Sequence, residues 1–131
     1  MPWTVDTKYI DEAEAKLGAA LPSSYRRHIA ASNGGSLSLL DDDWEVLPVW
    51  DTSTTKLASR TSNDLVRETV RLRALPWFPS GAVAIADRIV LLSVDGRIED
   101  RCYVWYMDSD SRQLGVVADG CDALFRCRAP A

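Results

Sequence analysis

The sequence predicts an α+β fold: a mainly antiparallel sheet of about five or six strands, covered by an N-terminal helix pair, a middle helix and a short C-terminal helix. Three observations carry that expectation. Apolar residues first recur at steps of three and four, then from Ser36 at alternate positions. Beyond Pro79 come short apolar runs divided by brief polar turns. The length, 131 residues with 47% hydrophobic and 26% charged, suits one domain spanning 1–131 that buries about two-thirds of its unfolded surface.

The first helix begins after a cap at Asp6 or Thr7, with Ile10, Ala13 and Leu17 on one face and Asp11, Glu12 and Glu14 elsewhere. Gly18 ends it, because glycine takes the left-handed stop without steric cost. A second helix starts at Leu21-Pro22-Ser23-Ser24, where the missing proline N–H costs nothing in a first turn. Tyr25, Ile29 and Ala30 form its buried stripe, and Asn33-Gly34-Gly35 terminates it. Leu37 and Leu39 then alternate with serines, and Trp44-Glu45-Val46-Leu47 follows Asp41-Asp42-Asp43, which predicts a strand pair joined by an acidic turn.

Thr52–Thr61 is rich in serine and threonine and predicts a loop. Ser62 is expected to cap a helix from Asn63 to Ala74, with Leu65, Thr69 and Leu72 on one face, Val66 and Val70 beside them, and Arg67, Arg71 and Arg73 elsewhere. Strands are expected at Ala82–Ala86, Arg88–Val94, Arg101–Met107 and Gln113–Ala118. Asp119 would cap a last short helix anchored by Leu124 and Phe125.

Composition excludes several functions. No apolar run approaches the ~20 residues of a membrane span, and the N-terminus lacks an export signal. A net charge of −4 disfavours nucleic acid and suits a basic protein partner. The cysteines, Cys102, Cys121 and Cys127, are odd in number, which together with the missing signal points to free thiols in a reducing cytoplasm. No close Cys/His spacing suggests zinc, and His28, the only histidine, is expected at a helix flank rather than in catalysis.

The opening, with Ile10, Glu14, Leu17-Gly18, Leu21-Pro22, Tyr25 and Asn33-Gly34-Gly35 at their spacing, resembles the SUKH superfamily of Smi–Knr-like proteins. Trp44, Pro76-Trp77-Phe78-Pro79, Val104-Trp105-Tyr106-Met107-Asp108 and Ala118–Phe125 support the resemblance, which runs from about Asp6 to Phe125. One departure is the absence of a glycine- and aspartate-rich turn after Ala84-Ile85-Ala86, where Asp87-Arg88 leads almost directly into Ile89. For bacteria the resemblance implies immunity proteins that bind and neutralise a cognate toxin, often a nuclease, within polymorphic toxin systems. For eukaryotes it implies regulatory or scaffolding proteins. The signature residues themselves are architectural, so function has to come from surfaces.

The sharpest surface candidate is Asp41-Asp42-Asp43-Trp44-Glu45, carboxylates that steer a basic partner beside an aromatic anchor. The bland alternative is a solvated turn followed by a core tryptophan. Trp50 and Trp105 are further aromatic candidates near the sheet face, and Asp108 and Asp110 form a second acidic turn that would reach the same sheet edge in a meander. The aspartates lack the alternate spacing of a Ca²⁺ loop, which leaves a metal-dependent hydrolase as a remote alternative. Arg60, Arg67, Arg71 and Arg73 suggest a basic patch, more often a solvated face. The expectation is therefore a non-enzymatic binding module without cofactor or metal, its partner a basic toxin, with a regulatory scaffold as the alternative. Oligomeric state is not written in the sequence.

Overall fold

A computed structural model describes residues 3–108 and 111–128. Helix α1 (Thr7–Leu17) starts where the Asp6 side chain accepts the Lys8 N–H at 3.0 Å, and it buries Tyr9, Ile10, Ala13 and Leu17. Gly18 stops it with φ at 76°. Helix α2 (Ser23–Ala31) follows Pro22, which occupies the cap position itself, and it buries Ser24, Tyr25 and Ile29.

Strands β1 (Ser36–Leu39) and β2 (Asp42–Glu45) form a two-stranded antiparallel ribbon with Leu37 opposite Trp44. The expected acidic turn is displaced: the two turn residues are Leu40 and Asp41, both left-handed at φ 53° and 58°, while Asp42 and Asp43 already pair within the strand. A two-residue turn with both φ values positive matches the right-handed twist of the strands it joins, and that match fixes the register.

The segment expected to be a loop contains a six-residue helix, α3 (Thr55–Arg60), capped by the Thr54 hydroxyl on the Leu57 N–H. It buries no residue, so no apolar period announced it. Helix α4 (Leu65–Arg73) is capped by Asp64, not Ser62, whose hydroxyl instead donates to the Ser59 carbonyl. Leu65, Thr69 and Leu72 face the core, and the Thr69 hydroxyl accepts the buried Ala84 N–H at 2.9 Å.

Strands β3 (Val83–Ala86), β4 (Ile89–Val94), β5 (Arg97–Asp108) and β6 (Ser111–Ala118) form an antiparallel sheet in that order. β5 begins at Arg97 rather than Arg101, because Asp95-Gly96 makes the turn immediately before it. The ribbon is stitched to this sheet. Val46, just past β2, bridges Ala86, and the Leu47 N–H reaches the Ile85 carbonyl at 3.0 Å. On its other side Leu37 bridges Arg128, after the last helix, α5 (Cys121–Phe125). The architecture is the expected α+β one, with six strands divided between two sheets. All four β3 residues are buried, at the centre of a core shared with α1, α2 and α4.

Candidate protein-binding surface

The signature residues are spent on architecture. The Glu14 carboxylate accepts the Leu21 N–H at 2.6 Å and pairs with Arg26, so it fixes the turn between α1 and α2. The buried Asn33 amide donates to the Val49 carbonyl at 2.8 Å and accepts the Val49 N–H at 2.7 Å. Gly34 and Gly35, with φ of 106° and 87°, then release the chain into β1, a path that glycine takes without steric cost. Leu21 is buried, and the Tyr25 ring lies fully buried 6.1 Å from that of Phe125. Burial pushes the Tyr25 phenol well above its ordinary range, and its hydroxyl has no hydrogen-bond partner among the described residues.

A different arrangement occurs at the other end of the sheet. Val46 stands opposite Ala86, and Val104 stands opposite Ile89. Followed outward, β2 toward Asp42 and β5 toward Asp108 therefore both overhang the Asp87-Arg88 turn between β3 and β4. The acidic ribbon and the outer part of β5 flank one end of the molecule. Between them lies an open groove of about 540 Å³. Asp42, Asp43 and Trp44 line it from the ribbon, Asp87 and Arg88 from the floor, Glu68 and Arg71 from α4, and Trp105 from β5.

Hydrogen bonding by the ribbon aspartates is local, and one bond ties the ribbon to the floor. The Asp42 carboxylate accepts the Asp43 N–H, Asp43 accepts the Ser38 hydroxyl, and Asp87 accepts the Glu45 N–H, each at 2.9 Å. Among the described residues, no carboxylate of Asp41, Asp42, Asp43 or Glu45 forms an ion pair. Trp44 is half-buried and donates its indole N–H to the Leu39 carbonyl at 2.9 Å. Trp105 packs 4.8 Å from Trp77, with the Arg88 guanidinium 5.5 Å above its ring. Glu68 pairs with Arg71 and raises the Arg71 pKa further, chiefly through that hydrogen bond.

The expected site residues thus divide. Asp42, Asp43, Trp44 and Trp105 share the groove, with Asp41 at the ribbon tip and Glu45 exposed beside it. Asp108 closes β5 opposite Ser111, and Asp110 lies outside the described residues. Trp50 is elsewhere: its indole donates to the Ala58 carbonyl of α3, and Lys16 stands 5.2 Å from its ring. The arginine patch dissolves. Arg73 turns inward to the carbonyls of Leu17, Gly81 and Ala82, Arg71 pairs with Glu68, and Arg60 rests on Trp3.

His28 lies on the α2 flank, 2.7 Å from Asp122 and stacked on Phe125. Its hydrogen bond, with Arg27 second, holds the Asp122 carboxyl below the usual range. Asp100 went unnoticed in the sequence, yet it accepts the Ser24 hydroxyl at 2.5 Å and the Cys121 N–H at 3.1 Å, so it caps α5 in place of Asp119. A side chain at Gly120 would collide with that carboxylate, its Cβ falling 2.5 Å from Oδ2. Burial pushes the Asp100 carboxyl up, but the bonds from Ser24 and Cys121 outweigh it and hold the pKa low. Cys102 and Cys121 are free, buried thiols, and Cys127 is free and half-buried. Among the described residues no group of three or more His, Cys, Asp or Glu is placed to hold a metal ion. No described helix is long and apolar enough to cross a membrane.

The glycine-punctuated helical opening, the antiparallel sheet and the stitched ribbon together define a SUKH-type α+β scaffold. The chain belongs to the SMI1 / KNR4 family (SUKH-1), whose family model matches residues 4–126. No curated protein and no solved structure matches it.

Proposed function

We propose that this chain is a non-catalytic immunity-type module that binds a basic protein toxin in the groove between its acidic ribbon and β5. The observation that carries the reading is the convergence of Asp42, Asp43 and Trp44 with Trp105 on one groove, with carboxylates that form no ion pair among the described residues. Unpaired charge at the rim steers a basic partner, and half-buried indoles provide area that is desolvated on docking. Family membership supports the class of function. Neutralisation would be steric, the module covering the toxin's working surface. Co-expression with a toxin encoded beside this gene should give a stable complex, and Asp42→Lys with Asp43→Lys should weaken it at least about tenfold. Absence of any complex would favour the regulatory, Smi–Knr-like reading instead.

A further inference from the structure

Around α3, outside the groove lining, the chain gathers cations over aromatic rings. Its three lysines are Lys8, Lys16 and Lys56. Each lies above a ring: Lys8 5.1 Å from Tyr9, Lys16 5.2 Å from Trp50, and Lys56 5.6 Å from Trp3. Arg60 joins Lys56 over Trp3, at 4.7 Å. Direct contacts make part of this set contiguous. Trp50 donates to the Ala58 carbonyl of α3, and α3 carries Lys56 and Arg60 across to Trp3. A hollow of about 330 Å³ opens beside Trp3 and Arg60, with Glu45 among its lining residues.

Two features set this face apart from an ordinary solvated surface. Trp3 and Trp50 are each 42% exposed, a large apolar area to leave in water. Moreover, among the described residues none of Lys16, Lys56 and Arg60 forms an ion pair, in a chain with 19 carboxylates. Of the neighbouring carboxylates, Asp51 is buried and accepts the Ser53 N–H, whereas exposed Glu45 lines the hollow without forming an ion pair among the described residues. A cation over a ring keeps its charge available, because the ring attracts without neutralising it.

We propose that Trp3, Lys16, Trp50, Lys56 and Arg60 form a second docking surface, for an acidic segment of a partner protein. Charge complementarity selects the occupant: three unpaired cations flank two indole faces. Single-stranded nucleic acid also uses cations and stacked rings, but its affinity rests on neutralising many phosphates, which three cations on a chain of net charge −4 do poorly.

The experiment is a titration of the protein with an octaglutamate peptide at low salt, followed by tryptophan fluorescence and calorimetry, with a deoxythymidine decamer in a parallel arm. Saturable octaglutamate binding is expected, weakened at least about tenfold by Lys16→Glu, Lys56→Glu and Arg60→Glu together and about threefold by Lys56→Glu alone. The single variant stands if the triple one melts early. Asp42→Lys with Asp43→Lys, which makes the chain less acidic, should not weaken octaglutamate binding, which separates this surface from the groove. No saturable binding, equal affinity in the charge-reversed variants, or tighter binding of the decamer would each overturn the proposal.

Discussion

The helical corner and the acidic ribbon use similar polar residues for opposite ends. At the corner, Glu14, Asn33 and Arg73 each bond to the backbone of another element: Leu21, Val49, and the carbonyls of Leu17, Gly81 and Ala82. At the ribbon, Asp42 and Asp43 bond only within the ribbon itself. A polar side chain that satisfies a distant backbone group is part of the fold, and removing it strands its partner. One bonded only to its own hairpin is free to face something else. The same contrast separates a residue type that is legible as a signature from one that acts as a surface.

Asn33→Ala should break the comparison open with the largest effect. Both Val49 backbone groups lose their buried partner, at a cost of about 2–4 kcal/mol. Urea unfolding should report it as a lowered midpoint with an unchanged slope. A loss below about 1 kcal/mol would mean that the amide is not what ties the end of α2 to the segment after β2.

Next in size, and opposite in sign, is the ribbon tip. Leu40 and Asp41 are left-handed, a conformation that side chains other than Asn or Gly adopt at a penalty. Replacing them with Asn-Gly should stabilise the protein by about 1 kcal/mol, after the extra chain entropy glycine loses. A higher melting temperature checks it. Destabilisation would contradict the two-residue turn.

That tip also shows where sequence reasoning stopped. The helical pair is legible down to a cap at Asp6 or Thr7, which the structure resolves to Asp6, and to the stop at Gly18, because caps and apolar spacing act locally. The three aspartates suggested a turn by composition, but Leu37 opposite Trp44 sets the register and draws Asp42 and Asp43 into the strand. Helix α3 buries nothing, so it left no periodic trace. The cap of α5 comes from Asp100, well upstream in β5, and no local pattern announces a partner that the fold itself delivers. At the candidate site, the aspartates and Trp44 were visible as a cluster, whereas their meeting with Trp105 depends on two hairpins overhanging one turn. The same distance effect hid the separation of Trp50 from them.

A smaller effect sharpens the comparison through pH. The Asp100 and Asp122 carboxyls titrate below the usual range in the folded protein. Their contribution is therefore fully present above the unfolded carboxylate pKa of about 4 and is lost as pH falls through the lowered folded values. Melting temperature should be flat from neutrality to about pH 5 and decline below it. Asp100→Asn should make that decline shallower by under about 1 kcal/mol, since the carboxylate is only partly buried and solvent screens it. The same decline in both proteins would remove Asp100 from the cause.

The smallest expected change in stability is at the groove. Asparagine at positions 42 and 43 keeps an oxygen to accept the Asp43 N–H and the Ser38 hydroxyl, so the ribbon's own bonds survive. Asp42 and Asp43 are exposed and lack ion pairs among the described residues, so neutralising them strands no buried group. Unfolding free energy should therefore stay within about 0.5 kcal/mol of the parent. Association with a basic partner should slow markedly at low salt and converge with the parent at high salt, because steering is what those charges supply. A loss of stability comparable to that of Asn33→Ala would instead make the ribbon carboxylates structural, and the distinction between the two regions would fail.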